Sequence, residues 1–426
     1  MSDPSSEKPG SSGPPGKNAP ADTGLRNLIA GGGALLLGAF LVWACWTLCE
    51  RLEKRYIHAL APEFNAEKLQ GVVLQRHAFE EPELLVFYGS SELGKAMPNN
   101  ANQFFEEYPT GFRVFPVGKP GTASLAVLQK VAGVGAGVRG KKLAFSISPG
   151  WFFTEIFDPS FYEGNFSEMQ AHELAFSSEL SHALKRDVAR RMLAFPKTLE
   201  SRPLLGFTLR RLAKDRWIDR VFYGLVWPLG KLQSGVARMQ DHVEAALYIL
   251  EWDEKLNPDP PRGLRALNWN ELLKKAAKFV NAAAVQAKRN EIAKKKIPRA
   301  SRDGVFMQSL VKAREWTDFE LLLRTFVELG AKPLLLSIPI EDIRLEVYGI
   351  SASSRAAYTG RLRKLAAKYD IPLAEFPGSE TSPGFTVDFL DHLSGEGWLY
   401  YNKALDDFFH GRFRAQPVPG EVPEKP

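Results

Sequence analysis

Gly89-Ser90-Ser91-Glu92-Leu93 follows directly on Glu83–Tyr88, a short apolar run that reads as a buried strand. At the carboxyl end of a strand, a small-residue turn lets a serine hydroxyl stand exposed, with neighbouring backbone N–H groups ready to donate. That suits a nucleophile, although Gly-Ser-Ser is also an ordinary turn or helix cap. A serine nucleophile needs a base of near-neutral pKa, and that base needs an orienting carboxylate. Among the seven histidines, His392 is the one in a predicted loop of the α/β part, after the last strand and just before the last helix. Asp388 and Asp391 precede it, and Gly395 and Trp398 follow. A histidine there can equally be structural. Gly118-Lys119-Pro120-Gly121-Thr122 ends a second apolar run. Its glycines allow close backbone approach, so Gly118 and Gly121, together with Ser90, are candidates to hold an oxyanion. A plain turn is the alternative, and the segment lacks the spacing of a nucleotide-binding P-loop. Ser148-Pro149-Gly150-Trp151-Phe152 reads as a rigid turn with buried aromatics. No His or Cys cluster has ligand spacing, so neither a metal nor a cofactor is expected.

The elements that would position these residues alternate in type. Strands are predicted at Glu83–Tyr88, Phe112–Val117, Lys142–Ser148, Lys332–Ile338 and Pro372–Phe376. Helices are predicted at Leu125–Val134, Trp316–Leu329, Ser351–Tyr369 and Gly397–Phe409. Strands separated by helices imply an α/β fold with a mostly parallel sheet. A long, mostly helical insertion occupies about residues 160–315.

Residues 1–26 are rich in Pro, Gly and Ser and read as a disordered tail. A transmembrane anchor is assigned to residues 27–49. Leu28–Leu48 carries no charge over 21 residues, about 31 Å as a helix, which matches a bilayer's hydrocarbon core. Three cations flank it on each side, so charge does not set its orientation. Residues 50–415 form the α/β domain, and 416–426 a Pro-rich tail. Hydrophobic residues make up 45% and charged residues 24%, ordinary globular values that allow a sizeable core. The only cysteines, Cys45 and Cys49, lie in or beside the apolar segment, which excludes a disulfide framework and a cysteine-based zinc site in the domain. The net charge of +6 is modest. It suits an anionic membrane or envelope polymer better than nucleic acid, which leaves a stronger and more clustered basic signature. The run Lys185, Arg186, Arg190 and Arg191 reads as a solvated helix face. Its other reading is a docking site for a small acidic protein.

Several segments, in order, resemble the DltD family, the D-alanyl transfer proteins of teichoic acid D-alanylation. They are FYGSSEL (Phe87–Leu93), VGKPGTASL (Val117–Leu125), SISPGWF (Ser146–Phe152), EWTDFELLL (Glu315–Leu323), LSIPI (Leu336–Ile340) and HLSGEGW (His392–Trp398), behind an N-terminal apolar helix. The resemblance implies an SGNH-hydrolase-like (flavodoxin-like) fold with Ser91 as nucleophile and His392 as base. The family's carboxylate falls three residues before the histidine, where this chain has Phe389. Asp388 is then the expected acid, with Asp391 as the alternative. The resemblance also implies a domain outside the cytoplasmic membrane and a membrane-bound O-acyltransferase partner. The acceptor would be an anionic envelope polymer or glycolipid. An O-acetyltransferase or esterase on exported polysaccharide would use the same residues, and a non-catalytic carrier- or partner-binding protein is the other class.

Overall fold

The computed structural model describes residues 21–155, 157–252, 254–258, 263–279, 287, 290, 294, 302–341, 345–346, 348–379, 384–387 and 392–414. The chain divides into two units, Met1–Leu48 and Cys49–Pro426.

The first unit is carried by helix α1, Ala21–Leu60. The helix starts inside the stretch expected to be tail and runs past the expected end of the anchor. From Leu28 to Leu48 it is apolar all round, and it leaves Leu35, Leu36, Phe40, Leu41 and Trp43 exposed. A helix without a polar face requires an apolar surrounding, and this one is long and apolar enough to cross a bilayer. Beyond Cys49 the pattern becomes one-sided. Glu53, Tyr56, Ile57 and Leu60 are buried at i, i+3, i+4 and i+7, so the last turns belong to the second unit's core.

That unit is built on five parallel strands: β1 Leu84–Gly89, β2 Arg113–Gly118, β3 Lys142–Ile147, β4 Lys332–Ser337 and β5 Leu373–Ala374. Their order is β2-β1-β3-β4-β5. Successive residues serve opposite faces. Val86, Tyr88, Phe115, Val117 and Phe145 enter one apolar core, while Leu85, Phe87, Val114, Ala144 and Leu336 enter the other. A sheet covered on both sides demands near-continuous apolar strands, which is why they were legible as runs. On the first side lie α2 (Ala66–Gln70), α3 (Val73–Glu80), α6 (Ser124–Val134), α14 (Glu315–Leu329) and α15 (Ala352–Lys368). The second side holds α5 (Ala101–Glu107) and α16 (Gly395–Phe409). Helix α4, Ser91–Gly94, is a single turn after β1.

The insertion between β3 and α14 is helical as expected. It contains α7 (Pro159–Asn165), α8 (Glu168–Ala175), α9 (His182–Met192), α10 (Pro203–Lys214), α11 (Trp217–Trp252), α12 (Trp269–Phe279) and α13 (Asp303–Lys312). Its basic run is only partly the expected solvated face: Arg190 is exposed, but Lys185 and Arg191 are held by the fold. Lys185 Nζ donates to Ser177 O at 2.7 Å, and Arg191 forks onto Asp318 at 2.6 and 2.9 Å. Arg186 and Arg190 both lie against Asp187. These cations fasten the insertion to itself and to α14. The other basic run, Lys288–Arg299, falls almost wholly outside the described residues.

Glu315 opens α14 and accepts the Ser124 N–H at 2.9 Å, so it caps α6 from a distant element. Burial, with Asp318 close by, pushes its carboxyl from 4.5 up to about 8. Its folded pKa lies above the unfolded one, so stability is highest at low pH and declines as pH rises between these values. Across about pH 5 to pH 8 this group alone should cost the fold on the order of 3 kcal/mol. Glu315→Gln keeps an acceptor for Ser124 but has no proton to lose. Thermal unfolding in detergent should therefore fall less steeply with pH in that variant. Parallel curves would show that Glu315 does not titrate in this range.

Candidate active site

Strand order reverses between β1 and β3, and in such sheets the crevice at the carboxyl ends of the strands is the binding position. Ser91 leaves the end of β1 at the first residue of α4. Its Oγ lies 2.9 Å from His392 Nε2, a contact spanning 301 residues of sequence, and both side chains are half-buried. The structure thus brings together the two side chains most needed for nucleophilic chemistry.

Neither serine of the tripeptide acts as a helix cap. Ser90 precedes α4 but makes no side-chain cap bond, and its Oγ lies 3.4 Å from Lys119 O. The Ser90 N–H donates to Glu92 Oε1 at 2.9 Å. Ser90 therefore joins the serine turn to the β2 loop, with its own N–H occupied. Glu92, buried beneath the turn, had no role in the sequence reading. Its one signal is an acidic residue in the first turn of a helix, a position favoured by the helix dipole.

Gly118 closes β2 opposite Gly89. A Cβ on Gly118 would stand 2.1 Å from Gly89 O, so only glycine allows these strand ends to approach this closely. Gly121 has φ +83° and packs against Phe161. The loop between them is held by Thr122, whose Oγ accepts from Lys119 N at 3.2 Å and whose N–H donates to Lys119 O at 3.1 Å. Asn165 Nδ2 bonds Pro120 O at 3.2 Å from outside the loop. It is a true turn, and a rigid one beside the nucleophile.

His392 is placed by a short antiparallel bridge. Val387 N donates to His392 O at 3.0 Å and Ser394 N to Phe385 O at 2.9 Å. Ser394 then caps α16 by accepting from Glu396 N and Gly397 N, both at 3.1 Å. Thr386 Oγ1 donates to the buried Glu341 at 2.5 Å, tying the histidine loop to the segment after β4. Trp398 is fully buried and meets Phe87 of β1 edge-on at 6.5 Å. Asn99 Nδ2 donates to Gly395 O at 2.9 Å and Asn402 Nδ2 to Asn99 O at 2.8 Å, strapping the segment after Ser91 to the helix after His392. Asp388 and Asp391, the two expected acids, lie outside the described residues.

One constellation escaped sequence reasoning. Glu53, His77 and His242 converge from α1, α3 and α11, all buried, with their ligand-type atoms within 4.8 Å of one another. Spacing could not reveal it, since 189 positions separate Glu53 from His242. The Glu53 carboxylate sits 2.9 Å from His77 Nε2 and 2.8 Å from His242 Nδ1. Charge-assisted hydrogen bonds account for this geometry, and they lock α11 onto the end of α1.

A five-stranded parallel sheet covered on both faces by helices, with Ser91 and His392 meeting at its switch point, gives the chain an SGNH-hydrolase-like fold. The comparisons narrow that class. The DltD protein family model matches residues 61–410, so this chain belongs to the DltD family. Protein DltD of Bacillus subtilis is 26% identical over 88% of this chain and 94% of its own length. Protein DltD of Staphylococcus aureus is 22% identical over 91% and 95%, and that of Lacticaseibacillus rhamnosus 23% over 92% and 93%. The family takes part in D-alanylation of teichoic acids.

Proposed function

We propose that this chain transfers an acyl group, D-alanyl in its family context, to an envelope polymer or glycolipid through an ester on Ser91. The observation that carries the reading is the 2.9 Å contact between Ser91 Oγ and His392 Nε2 at the sheet's switch point. His392 Nε2 takes the Ser91 proton as Oγ attacks the donor's carbonyl carbon. The tetrahedral intermediate collapses, and the leaving thiol or alcohol takes the proton from the imidazolium. An acceptor hydroxyl then gives its proton to His392 and attacks the ester, and Ser91 leaves with the proton returned to it.

For Nε2 to accept, the neutral ring must carry its proton on Nδ1 and needs an acceptor there. Asp388 is the residue proposed for it, with Asp391 as the alternative. The first N–H groups of α4 lack intrahelical acceptors and start beside Ser91. With Gly118 and Gly121 of the β2 loop, whose Lys119 N–H is taken by Thr122, they are the proposed oxyanion donors. The domain is placed outside the cytoplasmic membrane, where α1 anchors it beside a membrane-bound O-acyltransferase that supplies the acyl group. No resident metal or cofactor enters this chemistry.

The test is mass spectrometry of the full chain in detergent after exposure to a fluorophosphonate or an activated alanyl donor. A single adduct on Ser91 is expected, and His392→Ala should slow its formation by about a hundredfold or more. Labelling that is equally fast without His392, or that falls elsewhere, would overturn the assignment. The mass of the group transferred to polymer separates alanyl from acetyl transfer.

A further inference from the structure

Helix α11 is built inside out. Its buried positions are mainly small or polar: Asp219, Gly230, Ser234, Asp241, His242, Ala245 and Ala246, with Ile249 the one large apolar among them. Its large apolar side chains face outward. Trp217 is 77% exposed, Leu225 70%, Leu232 66%, and Leu229, Val236 and Leu250 each more than half. At 100° per residue these positions fall on one face about 120° wide. Between Trp217 and Leu250 that face carries no charged residue. Single exposed apolar residues are normal on a soluble protein, but a continuous stripe along one long helix marks a contact surface.

We infer that α11 lies in the surface of the bilayer that α1 enters, with this stripe turned into the lipid. The inference rests on α1 as a membrane anchor and is independent of the chemistry at Ser91. Three observations favour lipid as the occupant. The first is tethering. Glu53 follows the charge-free run by only five residues, and its bond to His242 holds α11 at the very start of the second unit. The second is the border of the stripe. Lys214, Arg216 and Arg220 stand at its amino-terminal end, and Lys231 flanks it over the Trp227 ring at 5.7 Å. Cations and indoles beside an apolar stripe match an anionic headgroup region. The third is its width. A coiled-coil seam is a narrow stripe, whereas this face takes about a third of the helix circumference, and Val221, Pro228 and Gly235 fall within it without adding a charge. Asp219, Arg220, Lys231, Arg238 and Asp241 keep α11 from crossing the membrane, and among the described residues α1 alone has the length and hydropathy to do so. The contact would make the domain's attachment two-point, an anchor plus a surface helix, where a lone span would leave it free to swivel.

The experiment uses the full chain with Cys45→Ser and Cys49→Ala, reconstituted in vesicles of phosphatidylglycerol and phosphatidylcholine. Nitroxides are placed one at a time at Leu225, Leu229 and Leu232, with Lys197 and Lys312 as references. All five side chains are exposed, so labelling leaves the core intact. In the three stripe positions, collisions with oxygen should exceed those with a water-soluble nickel chelate, and the order should reverse at the references. Free access of the chelate to all five would overturn the inference. So would magnetic coupling between Leu229 labels, which means a second copy, or protection that appears only when a membrane acyltransferase is added, which means a protein partner. As a second measurement, the triple variant L225E/L229E/L232E should bring the chelate to a nitroxide at Val236. Continued protection there would also overturn it.

Discussion

Ser91→Ala is expected to abolish acyl transfer, by at least about a thousandfold, while the melting temperature stays within roughly 2 °C of the parent. The asymmetry follows from the geometry. Ser91 is half-buried, and the one contact of its hydroxyl given by the structure is His392, so its removal leaves no cavity and costs the fold about one hydrogen bond. Its loss removes the atom that would carry the acyl group. Ser90→Ala makes the contrast sharp. Ser90 Oγ reaches Lys119 O only at 3.4 Å, long for a hydroxyl hydrogen bond, so its removal should cost activity no more than about tenfold. Transfer in detergent with donor, acceptor and partner, alongside thermal unfolding, measures both. If Ser90→Ala were the silent enzyme and Ser91→Ala the active one, the nucleophile would be the other serine.

The sheet was legible because each strand is buried on both sides and so appears as an unbroken apolar run. β1, β2, β3 and β4 fall within a residue or two of their expected bounds. β5, expected at Pro372–Phe376, is only the two residues Leu373–Ala374 at the sheet's edge. The Gly-Ser-Ser turn and His392 stood out by a different logic, small residues at a strand end and the one histidine in a loop of the α/β part, while the choice of Ser91 over Ser90 came from the family resemblance alone. What could not be read was anything set by convergence. The Glu53–His77–His242 group joins three helices without a spacing signal. The basic residues of α9 looked solvated because nothing local shows that Asp318 and Ser177 would meet them. In α11 the apolar period is plain in the sequence, but periodicity states only that two faces differ. Which face the fold covers depends on the small residues that let α8 and α10 approach, and here the apolar face is the one left open. Gly230 shows the constraint, as a Cβ there would stand 2.2 Å from the Phe176 ring.

The same close approach makes Gly118→Ala the variant with the largest combined effect. Its methyl would stand 2.1 Å from Gly89 O, 2.6 Å from Gly89 C and 3.2 Å from Leu93 Cδ1. The first two are backbone atoms in a parallel pair buried at every position, so neither strand can yield by turning a side chain. The ends of β1 and β2 must part, at a cost of about 1–3 kcal/mol. Gly89 is two residues from Ser91, so the displacement passes directly to the nucleophile. A shift of about 1 Å in a reacting group costs on the order of a hundredfold in rate. The melting temperature and the rate of fluorophosphonate labelling should therefore fall together, unlike Ser91→Ala, where only the chemistry is lost. Gly94→Ala is the control, because a Cβ there meets nothing within 4 Å and the residue already sits in a helical turn. If Gly118→Ala labelled as fast and melted as high as Gly94→Ala, the strand ends would have room that this geometry denies them, and the β2 loop would have no part in holding Ser91 against His392.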